Sequence, residues 1–478
     1  MARVAAVDIG ATSGRVMIAD IAHATPTLVE IARFDNGPTL VHNQWVWNAY
    51  SLFERMTHGL ALAVEAGAIS WGIDTWAIDY GVIGADGSLV GQVVAHRDPG
   101  HELGVDRLRR LITWPEQYSL TGTQDMPFNT VYQLAAERPA RIGEGCTFLL
   151  VPDLLAFWAT GVMATDVTNA SSTGLLDPRT RDWSPRMLEL LDLPRSAFLT
   201  PEEPGRVLGA ARDERLEGLP LVGVATHDTA SAFAAAPMVH RDDCLVLSLG
   251  TWALIGYEAA HAEPSPESMA LNVTHELGID RTVRVLRNVS GMWLFEECRR
   301  SWGQQDGRLP AVPDLLSAME QAVPFAVGLD VDAPSLTAPG QSPATVGPRL
   351  VGAWDGSRGA MVRAILESLV CRLAHRADEL DALSGRVRPI LHVVGGATRI
   401  EPIMQWLADA TGKLVVAGPV EATALGNASV QWVASGVMRD VSEARAAIAA
   451  MPEVRRYEPR APRTPWQSLA ARIEEGTS

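Results

Sequence analysis

Three short segments hold residues whose types and spacing suit chemistry on phosphates and polyols. Asp8-Ile9-Gly10-Ala11-Thr12-Ser13-Gly14-Arg15 gathers a carboxylate, two hydroxyls and an arginine around two glycines. Gly10 and Gly14 leave room for a phosphate, Thr12 and Ser13 can donate to it, Arg15 can clamp an anion, and Asp8 could hold Mg²⁺ through water. The G-x-x-x-G spacing is no dinucleotide fingerprint, and a hairpin with Asp in its turn accounts for the same residues. In His227-Asp228-Thr229, Asp228 could accept the proton of a hydroxyl as a phosphoryl group arrives; in a loose transition state that proton leaves late, so a modest base suffices. Capping of the alanine-rich helix that follows explains the same residues, and His227 could be a satisfied core histidine. Asp74-Thr75-Trp76-Ala77-Ile78-Asp79 offers two carboxylates for hydroxyls and an indole for the C–H face of a sugar, with packing of Trp76 as the plainer reading. Asn288 is a further hydroxyl contact or a turn residue.

The elements that must position these residues follow an α/β pattern. Val4-Ala5-Ala6-Val7 and Val16-Met17-Ile18-Ala19 flank the first segment as a hairpin, and Cys244–Leu249, Gly250-Thr251-Trp252 and Ala253–Gly256 repeat the arrangement near mid-chain. Two such units half a chain apart hint at a duplicated fold. Buried strands are expected at Ala68–Ile73 and Leu219–Thr226, the latter leading into His227. The apolar stripe Ile365, Leu366, Leu369, Val370 and Leu373 predicts a helix over Ser357–Leu383 that Gly385 ends. Beyond it come the strand Ile390–Val394, the pair Gly395-Gly396 and a helix through Trp406, where a phosphate could approach the backbone. The polar run Val239–Asp243 marks a lobe boundary, giving lobes at residues 1–238 and 239–445 and a helical segment or tail at 446–478.

Composition narrows the chemistry. The 478 residues are 47% hydrophobic and 20% charged, with 40 basic against 56 acidic side chains and a formal charge of −16, an acidic globular chain long enough for two or three domains. Lys413 is the sole lysine, and no hydroxyl follows it, so there is neither a Walker A loop nor the strand lysine of a protein kinase. A Schiff-base mechanism would have this one candidate. The negative balance argues against nucleic acid as a partner. Cys146, Cys244, Cys298 and Cys371 form no C-x-x-C pair and are expected as reduced thiols. The apolar start is too short for a signal peptide, and no run approaches the roughly 20 residues needed to span a bilayer. The cytoplasm is the expected location, with no membrane partner.

Taken together, the segments resemble the FGGY carbohydrate kinases of the actin-like ATPase superfamily, and within them the branch that acts on L-rhamnulose. Besides the passages above, the resemblance rests on Pro127–Leu134, Thr168–Thr173, Gly250-Thr251-Trp252 and Ala417–Asn427, in the family's order over nearly the whole chain. It implies a two-lobe, duplicated actin-like (ribonuclease H-like) α/β fold with the active site in the cleft between lobes. The implied reaction is transfer of the γ-phosphoryl group of ATP to the 1-hydroxyl of L-rhamnulose, with Mg²⁺. Asp228 matches the proton acceptor. Asp74, Trp76, Ala77, His227, Thr229 and Asn288 fall in the sugar-site segments. Ala11, Thr12, Ser13, Gly14 and Arg15 match the first phosphate loop. Gly250 and Thr251 match the second, and Glu296, Gly395 and Gly396 match nucleotide positions.

The chain departs from the family where Ala397 replaces a third glycine, Ile400 a polar residue, Glu296 a glutamine at the nucleotide and Ala77 a substrate-side glycine. The first three bear on base and ribose contacts. The extra methyl of Ala77 is worth only about 1–3 kcal/mol of discrimination, which keeps fuculose and xylulose open as substrates. An actin-like ATPase without kinase activity and a silent sugar sensor are the readings from other classes.

Overall fold

A computed structural model of the chain describes residues 2–22, 25–137, 142–336 and 340–477. The first sheet is built from β1 (Val4–Ile9), β2 (Ser13–Ala22), β3 (Thr25–Asp35), β4 (Trp71–Thr75), β5 (Val207–Ala210) and β6 (Pro220–Val222) in the spatial order β5-β6-β4-β1-β2-β3. The second uses β7 (Cys244–Leu249), β8 (Trp252–Ala259), β9 (Thr274–Leu277), β10 (Val283–Ser290), β11 (Ile390–Val394), β12 (Leu414–Ala417) and β13 (Arg455–Tyr457) in the order β9-β10-β8-β7-β11-β12-β13. The helices that matter below are α1 (Ala49–Glu65), α2 (Val151–Thr160), α3 (Asp228–Ala234), α4 (Trp293–Asp306), α5 (Arg358–Ser384), α6 (Glu401–Thr411) and α7 (Ala422–Ala434).

The duplication expected from the two hairpins is present in the pairing of five strands of each sheet. β1 pairs antiparallel with β2 and parallel with β4, which is parallel to β6, itself edged antiparallel by β5. β7 pairs antiparallel with β8 and parallel with β11, which is parallel to β12, itself edged antiparallel by β13. The central strands have no polar face because both sides are covered: all six residues of β1 and all five of β4 are buried. Parallel neighbours put their C-terminal ends on one edge of each sheet, and loops leaving that edge are where open α/β sheets bind ligands.

The chain forms two compact units, one running to Val239 and adding Glu258–Leu286 and Glu421–Met451, the other comprising His240–Tyr257, Arg287–Val420 and Pro452–Ser478. The first break falls within the polar run Val239–Asp243, whereas the two later insertions in the first unit had no local signal. Helix α7 explains one of them. Gln431 Nε2 donates to the Ala5 carbonyl (2.9 Å), Ser70 Oγ donates to Gln431 Oε1 (2.7 Å), and the backbone of α3 approaches Gly426 so closely that a Cβ there would lie 1.7 Å from the Ser231 oxygen. Under the same sheet, Gly59 of α1 lets the helix settle on Val16.

In the second unit, α5 starts with the cap that its sequence offers at Ser357, whose side chain accepts from Ala360 N, and ends at Gly385 with φ 65°. Residues 446–477 contain β13 and a final helix, Thr464–Thr477. The expected strand at Leu219–Thr226 is shorter, Pro220–Val222, since beyond Gly223 the chain turns to the site with Thr75 N donating to the Thr226 carbonyl.

Candidate active site

In the first unit, strand register collects the charged residues. Asp8 of β1 lies beside Asp74 of β4 on one side and Arg15 of β2 on the other. The 226–228 segment joins the same edge through the parallel bridge of Thr75 with His227. Arg15 donates to Asp8 Oδ2 (2.7 Å) and to Glu421 Oε2. Its guanidinium therefore already bridges two carboxylates, which a sequence reading of it as an anion clamp had not foreseen. Asn36 supports the loop by donating from Nδ2 to the Gly10 carbonyl (2.8 Å) and from its backbone to Thr12. The two loop glycines have different reasons. A Cβ on Gly10 would meet only the Ser13 oxygen at 3.4 Å, so that side is open, whereas at Gly14 the Phe34 ring fills the space at 2.2 Å.

Behind the loop, Asp74 is fully buried and Asn427 Nδ2 donates to its Oδ2 (2.7 Å), while Oδ1 has no hydrogen-bond partner among the described residues. Burial pushes this carboxyl well above its ordinary range, and the charge of Asp8 adds to the effect. Asp8 is raised as well, first by burial, with Arg15 opposing and Asp228 reinforcing the rise. The three carboxylates thus share one electrostatic neighbourhood at the sheet edge.

Asp228 is the first residue of α3, and His227 occupies the cap position without a side-chain capping bond, so the capping explanation for Asp228 does not hold in its simple form. Its Oδ1 accepts from Thr229 N (2.6 Å) and Thr229 Oγ1 (3.1 Å); among the described residues no donor reaches Oδ2, and the side chain is 34% exposed. One oxygen is held and the other is open. Asp166, which sequence reasoning missed, fixes the approach to this residue. Its Oδ2 accepts from Thr226 N (3.3 Å), Thr226 Oγ1 (3.2 Å), Asn169 N (3.0 Å) and Thr168 Oγ1. The Thr168–Thr173 passage is therefore a brace for the strand end that carries Asp228.

The segment read as two carboxylates and an indole divides by environment. Asp74 faces the cluster just described, whereas Asp79 Oδ2 accepts from Trp47 Nε1 (2.6 Å) and Trp76 Nε1 (2.8 Å) and contacts His96 Nδ1 (2.8 Å). Burial alone would raise Asp79, but His96 and the indole donors hold it below its ordinary value. Trp76 is thereby locked against Trp47, ring centroids 4.3 Å apart. Ala77 is half-buried, and Ile78 after it has φ 73°, a costly conformation for a β-branched residue that Thr130 Oγ1 (2.6 Å) and Gln133 Nε2 (3.2 Å) secure by donating to its carbonyl.

The second unit repeats the edge arrangement with other chemistry. Gly250 and Thr251 form the β7–β8 turn, where Gly250 N donates to Trp252 O (2.9 Å) and the start of α4 docks through Met292 N to Gly250 O (2.9 Å) and Trp293 N to Thr251 O (3.1 Å). Thr251 is exposed. Gly395 follows β11 with φ 97° and a Cβ position 3.0 Å from the Leu249 oxygen, and Gly396 has open space within 4 Å. Both glycine turns thus leave adjacent parallel strands. Glu296 sits on α4, its carboxylate accepting from Arg299 Nη1 (2.9 Å). Asn288 lies within β10, which removes the turn explanation for it.

Known proteins resemble the chain over nearly its whole length. The model of the FGGY family of carbohydrate kinases, N-terminal domain, matches residues 4–234, and that of the C-terminal domain matches 245–435. The chain is 36% identical to a rhamnulokinase of Bacteroides thetaiotaomicron over 468 residues, 95% of each chain. It is 34% identical to one of Enterococcus faecalis over 93% of this chain and 91% of that one. Among solved structures it resembles xylulose kinase from Lactobacillus acidophilus (TM-score 0.78, 16% identity, 100% and 96% covered) and Plasmodium falciparum glycerol kinase with ADP (TM-score 0.82, 14% identity, 100% and 98% covered).

Proposed function

The chain belongs to the FGGY family of carbohydrate kinases, and from that premise we propose that it transfers the γ-phosphoryl group of ATP to the 1-hydroxyl of L-rhamnulose. The observation that carries the chemistry is Asp228, with Oδ1 fixed by Thr229 and Oδ2 open. The relatives named rhamnulokinase, similar over nearly their whole length, support the choice of sugar.

Asp228 Oδ2 accepts the hydroxyl proton while the sugar oxygen bonds to phosphorus and ADP leaves. Because bond making to the hydroxyl lags, a carboxylate with one free oxygen is base enough. His227, Thr229, Asp74, Trp76, Ala77 and Asn288 are assigned to the sugar. Residues 11–15, Gly250, Thr251, Glu296, Gly395 and Gly396 are assigned to ATP, held mainly by backbone amides and hydroxyls as a chain without a phosphate-loop lysine requires.

Asp8 is a hard oxygen donor beside the charges of Asp74 and Asp228, which suits Mg²⁺. Asp8 would hold it through water. Charge neutralisation on the β- and γ-phosphates is what Mg²⁺ supplies when bound. No helix among the described residues is long and apolar enough to cross a membrane, and we place the enzyme in the cytoplasm.

Coupled ADP release over a panel of ketoses tests the assignment. L-Rhamnulose is expected to give the highest kcat/KM; equal or greater turnover with xylulose or fuculose would overturn the sugar assignment while leaving the kinase reading intact.

A further inference from the structure

Behind Asp228 lies a buried ionic group that the reaction as described does not use. Glu276 of β9 and Arg284 of β10 face each other in antiparallel register. Arg284 is wholly buried, and its Nη2 donates to Glu276 Oε2 (3.1 Å) and to the Leu277 carbonyl (3.2 Å), with Nε also on Leu277 O (3.2 Å). Glu276 Oε1 contacts Thr274 Oγ1 at 3.4 Å. Both charged ends converge on one nitrogen of His227: Nδ1 lies 3.3 Å from Glu276 Oε2 and 3.3 Å from Arg284 Nη2. The other nitrogen, Nε2, lies 3.5 Å from Asp228 Oδ1.

Taking an arginine and a glutamate out of water is expensive, and such a pair is often replaceable by apolar residues without loss of stability. Stability alone is thus a weak reason for it here. Its placement gives a better one. Imidazole has two ring nitrogens, and what one of them contacts determines how the ring is oriented and which tautomer it presents at the other. The backbone of His227 is tied as well, its N donating to Thr168 Oγ1 at 3.5 Å. With Nδ1 gripped from β9 and β10, Nε2 is aimed at the Asp228 oxygen that does not take the substrate proton.

We infer that Glu276 and Arg284 are positioning residues that act through His227 to hold the Asp228 carboxylate with Oδ2 presented to the sugar hydroxyl. The inference rests on the reading of Asp228 as the base. It assigns a role to two residues far from any recognised motif, brought to the site by the β9–β10 ladder. A misplacement of about 1 Å in a reacting group is enough for a roughly 100-fold loss of rate, so a device that fixes one carboxylate oxygen has a measurable effect.

The test is a double-mutant cycle on the full chain, read by sugar-dependent ADP release at saturating substrates and by thermal melting. Glu276→Gln is expected to lower kcat by about 10- to 100-fold while the KM for ATP stays within about twofold. Glu276→Asp keeps the charge but withdraws it from Nδ1, and its kcat is expected to fall between those of the parent and Glu276→Gln; it serves as the readout if Glu276→Gln does not fold. In a His227→Gln background, Glu276→Gln should cost little more, because the route to Asp228 is already cut. Unchanged kcat in both Glu276 variants, or losses that multiply in the double variant, would overturn the inference. Asp228→Asn separates the two levels: if it retains sugar-dependent turnover, the base assignment itself has failed, whatever the Glu276 variants show.

Discussion

At the scale of single residues, the site is a set of carboxylates told apart by their surroundings. Asp228 keeps one open oxygen, Asp74 is buried against Asn427, and Asp79 is saturated by indoles and an imidazole. Asp228→Asn preserves shape and removes the base proposed above, so kcat is expected to fall by about 100-fold or more with little change in melting temperature. Retained turnover would move the base elsewhere, and loss of folding would make the residue structural. Arg15→Met should act on two fronts. It leaves Asp8 and Glu421 without their shared cation, which costs stability of about 1–3 kcal/mol, and it should raise the KM for ATP more than that for the sugar. Equal effects on both substrates would mark Arg15 as structural only. Asp153, on α2, gives a prediction about pH. Burial, with the nearby charge of Asp166 adding, pushes its carboxyl well above the usual 3.8, and Oδ2 has no partner among the described residues. A carboxyl raised in the folded state contributes stability that is fully present below its unfolded value and is lost as pH rises through its folded value. Asp153→Asn should therefore melt like the parent near pH 4 and progressively higher than the parent as pH rises. A melting-temperature difference that does not change with pH would contradict this.

At the scale of elements, α7 is the joint that connects the site to the sheet. Glu421 precedes its first turn and takes Arg15, Asn427 takes Asp74, Gln431 takes the Ala5 carbonyl, and Gly426 allows contact with α3. Gly426→Ala would force a methyl against the Ser231 backbone, which cannot move without shifting Asp228 on the same short helix. The expected result is a loss of about 1–3 kcal/mol in stability together with a drop in kcat. A variant that melts and turns over like the parent would show that the α3–α7 crossing adjusts freely. The sequence contained Glu421, Gly426 and Asn427 in the passage Ala417–Asn427 and Gln431 one turn beyond it, but nothing local showed what they touch. Their partners lie up to 426 residues away in the chain. The link from Asp166 to Thr226, 60 residues away, was hidden for the same reason, whereas the ends of α5 were readable because a serine cap and a C-terminal glycine are local chemistry.

At the scale of the whole molecule, the single lysine provides a clean probe. Lys413 is buried, donating from Nζ to Asp381 Oδ2 (2.5 Å) and to the Arg388 carbonyl (2.6 Å). An amine-acylating reagent at neutral pH should reach Lys413 only in denaturant, as peptide mapping would show. Labelling of Lys413 in active protein would contradict its burial. The absence of a lysine from the phosphate loops was itself legible in the sequence and pointed to glycine turns, hydroxyls, arginine and a metal. So were the two hairpins, the double glycine and the acid that begins α3, since backbone freedom and apolar runs are properties of neighbouring residues. What only the tertiary structure decided is which of these charged groups meet. It joined Asp8 to Asp74 by strand register, turned Arg15 toward Glu421, separated Asp74 from Asp79, and set Glu276 and Arg284 behind His227. The physical reason is that a carboxylate's role is fixed by burial and by its nearest donors. Those are supplied by other elements, so the residue type alone leaves that role open.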